Sequence, residues 1–276
     1  MEHFRDIIGL GVAGNFALHL EQAGELEDFK DVKTEDENGP KGLFPFYLPG
    51  FDNQLGVFPI SSDTLILPED DVNVQVEPEV GLLCDLEYRD GKLSKITPTH
   101  FGAYNDASIR KEGAKKISEK KNWGACSKGF SDILIPIDRF ESGGVMDQWH
   151  IASFLKRDGN VFRCGEDVEL TGYSYFYEKL ITWMENQINT QEDFGPLEPI
   201  SEYLLTCKNP KQAVISIGAT RYSRMGEKSF IQDGDEIIVV LYDDRICCPN
   251  VVLQRVLKDD LEGEGISLLR QAVKDA

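Results

Sequence analysis

The chain is poor in positive charge: 29 Lys and Arg stand against 48 Asp and Glu, a net charge of -19 over 276 residues. That balance argues against nucleic acid or an anionic membrane surface as a partner, since either would repel it. The acid is spread along the sequence rather than gathered in a tail, so it reads as solubility. Cysteine pairs are missing too. The six cysteines, at 84, 126, 164, 207, 247 and 248, form no C-x-x-C pair and keep no regular spacing, so neither a zinc site nor a disulfide framework is indicated. Reduced thiols are expected, and with them a cytoplasmic location. No window reaches the ~18 uninterrupted apolar residues of a membrane helix. The apolar run Ile7 to Leu20 is interrupted by Asn15 and His19 and preceded by acidic residues, which speaks against a signal peptide. The length allows a substantial core, either as one large domain or as a domain with a smaller N-terminal segment.

What is there centres on Val72 to Phe130. In VNVQVEPEV the residues Val72, Val74, Val76 and Val80 share one parity, and Asn73, Gln75, Glu77 and Glu79 share the other. This is a strand with one apolar and one polar face. Glu77 and Glu79 then point the same way, roughly 6 to 7 Å apart along the face. One ion could bridge them, although two glutamates closing a solvated strand face would look the same. Pro78 between them lacks an N–H and suits an edge, a bulge or a strand rim. Further on stand Asn105-Asp106-Ala107-Ser108-Ile109-Arg110, and then Lys128-Gly129-Phe130 leading to Pro136. Taken singly, Asp106 reads as a turn or cap aspartate and Lys128 as a surface charge.

The ordered set resembles the fumarylacetoacetate hydrolase superfamily: Glu-x-Glu on a strand, Asn-Asp-x-Ser-x-Arg about thirty residues later, then Lys-x-Phe and a hydrophobic stretch with Pro. The resemblance implies a β-rich α+β fold, a mixed β-roll with peripheral helices. It also implies that Glu77, Glu79 and Asp106 hold Mg2+ or Mn2+, with Lys128 catalytic beside the ion and Arg110 among the substrate-binding residues. Such an ion prefers carboxylate oxygens and keeps positions that a 2-oxo acid can chelate. A nearby lysine would neutralise charge developing on an enolate.

Towards the N-terminus, Ile7 to Val12 reads as a buried strand, followed by a glycine turn and a helical start over Asn15 to Gln22. Asn15, Phe16 and His19 are similar to the family segment whose histidine, paired with a glutamate three residues on, sits on a lid helix and activates water. Here Gln22 stands in the glutamate's place, and Glu25 lies two turns from His19. Leu48 likewise stands where the family strand carries a lysine. Residues 26–42 have the composition of a charged surface loop, and Lys111 to Lys121 that of a solvated basic helix. Asp158-Gly159 signals a hairpin between strands, and Tyr177 to Met184 an amphipathic helix. By resemblance, Ser174, Gly218 and Thr220 belong with the substrate, Gly218-Ala219-Thr220 standing near the family's Gly-Thr-Pro; Arg221 is either a carboxylate ligand or an exposed loop arginine. Asp233 to Glu236 and Ile237 to Tyr242 read as a turn and closing strand, and the residues from Val251 onward as C-terminal helices.

The expected organisation is therefore a lid and strand region over 1–65, a catalytic β-roll over 66–250 and a helical extension over 251–276. The expected activity is metal-dependent cleavage of a C–C bond in a small 2-oxo or 2,4-dioxo acid by a homodimeric hydrolase or decarboxylase. The alternative is a diverged member that binds metal or a small ligand without turnover.

Overall fold

The computed structural model describes residues 1, 4–34, 36–111 and 113–276. Glu35 of the expected charged loop and Glu112 of the expected basic helix lie outside the described residues. The first elements are β1 (Ile8–Ala13), a one-turn helix α1 (His19–Gln22) and β2 (Gly42–Tyr47). Next come β3 (Ile60–Ser61), β4 (Thr64–Ile66), β5 (Asn73–Gln75), β6 (Pro78–Arg89), β7 (Lys92–Asn105), β8 (Ser108–Arg110), β9 (Lys128–Phe130) and β10 (Ile135–Pro136). The second half holds β11 (Trp149–Arg157), β12 (Asn160–Arg163), β13 (Val168–Glu169), α2 (Tyr177–Thr190), α3 (Ile200–Thr206) and β14 (Gln212–Ser216). It closes with β15 (Glu236–Asp243), α4 (Pro249–Leu257) and β16 (Ile266–Lys274). Among the described residues, no helix is long and apolar enough to cross a membrane.

Two mixed sheets face one another. One runs β2-β1-β14-β6-β7-β9-β3 with β10 on β7; the other runs β12-β11-β15-β16-β4 with β13 on β11; β5 and β8 form a separate ribbon. Between them lie Leu82, Phe101, Trp149, Ile151, Val239, Leu241 and Leu269. Phe101 meets Trp149 edge to face, with ring centroids 4.8 Å apart. Two hairpins turn on residues that tolerate φ > 0, the first of them at the expected Asp158-Gly159. Asp158 and Gly159 join β11 to β12 at φ 51 and 75, and Asp90 and Gly91 join β6 to β7 at φ 52 and 77.

Three expectations change. The helix read over Asn15 to Gln22 shrinks to α1. Its start is consumed because Asn15 is wholly buried and its amide donates to the carbonyls of Tyr175 and Ile217 and accepts from the Tyr175 N–H. The basic stretch Lys111 to Lys121 is not a solvated helix: among its described residues the one helical element is a 3-10 turn, Ile117–Lys120, and both Lys120 and Lys121 are buried. Four carboxylates in reach (Glu25, Asp28, Glu77 and Asp106) draw them inward. Past α4, Ile266–Lys274 forms a strand, antiparallel to β15 and parallel to β4. Its inward parity is Ser267, Leu269, Gln271 and Val273. Two of those four are polar, and the Leu268-Leu269 pair masks the period-2 pattern.

Candidate metal centre

Strand register builds the site. Pro78 opposes Asn105 across β6 and β7, and one step further the Asp106 N–H donates to the Glu77 carbonyl. Asn105 opposes Gly129 across β7 and β9, so Lys128 falls beside Asp106 from the other side. Ser216 opposes Gly81 on the flank formed by β14, and the chain beyond it brings the Gly218 N–H to Glu79 Oε2 at 2.9 Å. One end of the larger sheet therefore gathers Glu77, Glu79, Asp106, Lys128 and Gly218. Pro78 is accommodated as the first residue of its strand. Gly218 is required there: its φ is +109, and a Cβ would stand 2.9 Å from the Asn15 Cβ.

Glu77, Glu79 and Asp106 each offer a carboxylate oxygen within 4.8 Å of the others, and all three are buried. The alternation of valines with polar residues correctly places Val74, Val76 and Val80 inside, but Gln75, Glu77 and Glu79 of the opposite parity are buried as well. Around the triad is a web of charge. Arg110 donates to Glu77 at 2.7 Å, to Glu25 at 2.9 Å, to Gln75 at 2.8 Å and to the Tyr222 hydroxyl at 2.8 Å. Lys121 Nζ lies 2.7 Å from Glu77 Oε2 and 2.6 Å from Asp106 Oδ2, and donates to Ser108 Oγ at 2.6 Å. Lys128 Nζ lies 3.0 Å from Asp106 Oδ1 and also donates to the Ala107 carbonyl. Glu25, expected out of reach on a longer helix, comes back into the site because the helix ends after one turn; it pairs with Lys120 at 2.9 Å.

These surroundings set the charge states. Burial would raise Glu77, but Lys121 and then Arg110 overcome it and hold that carboxyl well below the usual range. Burial, with Asp106 beside it, pushes Glu79 well above that range. Burial brings Lys128 down to about 8 against the pull of Asp106. Burial likewise lowers His19. The His19 Nδ1 lies 3.0 Å from the Thr220 carbonyl, which can only accept, so Nδ1 carries the proton and Nε2 is the basic nitrogen. Among the described residues, no hydrogen bond joins the Gln22 side chain to the His19 ring. The Gln22 amide clamps the Tyr222 backbone instead, accepting from the N–H at 2.9 Å and donating to the carbonyl at 3.1 Å.

A cavity of about 20 Å³ lies among Gly14, His19, Glu25, Glu77, Glu79 and Lys121. That is room for one water or one small ion. A far larger groove of about 810 Å³ runs along α2 past Tyr175 and Trp183, and no triad residue lines it. Two candidate substrate residues have partners outside the triad. Arg221 pairs with Glu166 at 3.0 Å and covers the Phe16 ring, and the Ser174 N–H donates to the Asn15 carbonyl. Thr220 contributes its backbone, to His19 and Pro78. Lys120, Lys121 and Glu25 went unassigned in the sequence because surface-like composition hid their burial.

The donor set fits a hard divalent ion: three carboxylates, with no thiolate or imidazole among them. Asp106 is wholly buried, yet neither carboxylate oxygen accepts a hydrogen bond of good geometry among the described residues; ion pairs alone hold them.

The sequence profile of a family described as a family of unknown function (DUF5718) matches residues 25–273. The chain belongs to that family. No curated protein matches the sequence. Solved structures match at the level of fold. Cg1458 with an inhibitor is 16% identical at a TM-score of 0.59, over 98% of this chain and 77% of that one. A protein assigned to the fumarylacetoacetate hydrolase family, from Yersinia pestis CO92, is 13% identical at 0.54, over 97% and 93%. A 2-keto-3-deoxy-D-arabinonate dehydratase complexed with magnesium and 2,5-dioxopentanoate is 14% identical at 0.50, over 98% and 73%. This DUF5718 chain therefore has the fumarylacetoacetate hydrolase-like fold, β-rich with peripheral helices.

Proposed function

We propose that the chain is a divalent-metal-dependent enzyme that cleaves a C–C bond of a small 2-oxo or 2,4-dioxo acid. The observation that carries this reading is the buried triad Glu77, Glu79 and Asp106 beside Lys128, with the basic nitrogen of His19 left free by the Thr220 carbonyl. The triad would hold Mg2+ or Mn2+, which when bound polarises the carboxylate and keto oxygens of a 2-oxo acid. Lys128, whose pKa burial brings to about 8, would supply a proton or positive charge beside an oxygen that gains negative charge. His19 Nε2 would take a proton from water for hydrolysis; without that step, decarboxylation remains. The fold-level likeness to a dehydratase solved with magnesium and an oxo acid supports the choice of ion and substrate class. A homodimeric, cytoplasmic enzyme belongs to the same reading.

The 20 Å³ cavity is too small for an oxo acid, so turnover needs the segment between Gly14 and Gly24 to swing out. Both glycines have φ > 0, at 73 and 71, and flank the segment that carries His19. A second reading, a binder without turnover, draws on the same closure. Gln22 favours it too: a carbonyl orients His19 but lacks the full negative charge that would stabilise an imidazolium.

A turnover screen separates the two readings. Wild-type protein with Mg2+ or Mn2+ is assayed on acylpyruvates and oxaloacetate, alongside Lys128→Met and His19→Ala. Catalysis predicts loss of about 100-fold or more in Lys128→Met, the ordinary size of a proton-transfer or charge-stabilising contribution. His19→Ala abolishes hydrolysis and spares decarboxylation. A wild type inert on both substrate classes gives the site to the binder.

A further inference from the structure

We propose that Lys121 is a resident cation of the carboxylate site, and that its ammonium and a divalent ion exclude one another there. The proposal rests on the metal reading above and concerns a residue outside the motif residues.

Three observations carry it. The ammonium is committed inside the site: it donates to Glu77 and to Ser108 and is ion-paired with Asp106 at 2.6 Å, so it holds two of the three triad members. The side chain is only 4% exposed, with Nζ 5.1 Å from the centroid of the Phe44 ring, so it is built into the interior rather than laid across the mouth of the site. Four basic side chains, Arg110, Lys120, Lys121 and Lys128, already lie against the carboxyls of Glu25, Asp28, Glu77 and Asp106, with Glu79 beside them, before any ion enters.

A divalent ion on the same carboxylates would add two positive charges within one contact length of the ammonium. Buried like charges at that spacing repel strongly. Exchange of the ammonium for the ion adds only one positive charge. Lys121 closes the short turn Ile117–Lys120, and its N–H donates to the Ser118 carbonyl at 3.0 Å. Its neighbour Lys120 pairs with Glu25, which directly follows Gly24 at the end of the segment that carries His19. Departure of Lys121 therefore pulls on the contact between that turn and the lid. In the metal-free protein the ammonium neutralises the acids and keeps them folded inward, and the ion must displace it to enter.

The test is calorimetric titration of Mn2+ into the full chain: wild type, Lys121→Met and Lys121→Gln, with Glu79→Ala as the control for the triad. Melting temperature is read with and without saturating Mn2+. The expected result is binding at least ten-fold tighter in the two neutral variants than in wild type. Their melting temperatures should fall without ion and recover with it, because a ligand of the folded state stabilises in proportion to its affinity. Affinity in both neutral variants equal to or weaker than wild type overturns the proposal, and where the wild type still binds and Glu79→Ala does not, the metal reading stands. Absence of binding in all four proteins overturns both together. Failure of both neutral variants to fold at saturating Mn2+ also overturns the proposal, since the ion would then not replace the ammonium.

Discussion

Glu198 offers a sharp test of how the site is anchored. It is buried, its Oε1 accepts from Ser118 Oγ at 2.8 Å, and Oε2 has no hydrogen-bond partner among the described residues. Ser118 lies in the turn that delivers Lys120 and Lys121, so this carboxyl ties the turn to the chain near α3. Burial raises its pKa to about 7 from an ordinary 4.5, against the lowering effect of Ser118. A carboxyl raised on folding favours the protonated folded state. Its stabilising contribution is complete below the unfolded value and is lost as pH rises through the folded one. One pKa unit corresponds to about 1.4 kcal/mol, so between about pH 5 and pH 8 the loss comes to about 2 to 3 kcal/mol. Glu198→Gln cannot titrate and removes that slope. Urea unfolding of both proteins across this range, read as the wild-type minus variant difference, cancels the other titrating groups. A difference constant to within about 0.5 kcal/mol would refute a raised, buried Glu198.

Two further outcomes follow from single residues. Gly218→Ala places a methyl 2.9 Å from the Asn15 Cβ at a φ of +109, so stability drops by about 1 to 3 kcal/mol in thermal or urea unfolding; an unchanged midpoint contradicts the close approach. Arg110→Lys keeps the charge but loses the fork that reaches Gln75, Glu25, Glu77 and Tyr222 together, at a cost of about 2 to 4 kcal/mol. A variant as stable as wild type would show that Arg110 only decorates the site.

The fold was readable where chemistry constrains sequence tightly. The ordered Glu77, Glu79, Asp106 and Lys128 pattern survives because strand register must bring those positions together, and the Asp158-Gly159 turn survives because few residues accept positive φ. What stayed hidden was polar residues that are buried. Lys120 and Lys121 carry the composition of a solvated helix, and only the carboxylates contributed by distant parts of the chain reveal why they turn inward. Ser267 and Gln271 likewise hid β16: the Ser267 hydroxyl donates to the Ile133 carbonyl, and the Gln271 side chain accepts from Asn105 and donates to Lys128. Ser174 was placed by resemblance, and Arg221, left open between a carboxylate ligand and an exposed loop arginine, pairs with Glu166.

The central claim is that Glu77, Glu79 and Asp106 form a divalent-metal site, and the most direct measurement is Mg2+ and Mn2+ binding by calorimetry to wild type and to Glu79→Ala. The account predicts one ion per chain in the wild type and at least ten-fold weaker or undetectable binding in the variant. Equal binding by the two proteins would place the ion elsewhere. Absence of binding in the wild type, in Lys121→Met and in Lys121→Gln alike would contradict the metal site itself.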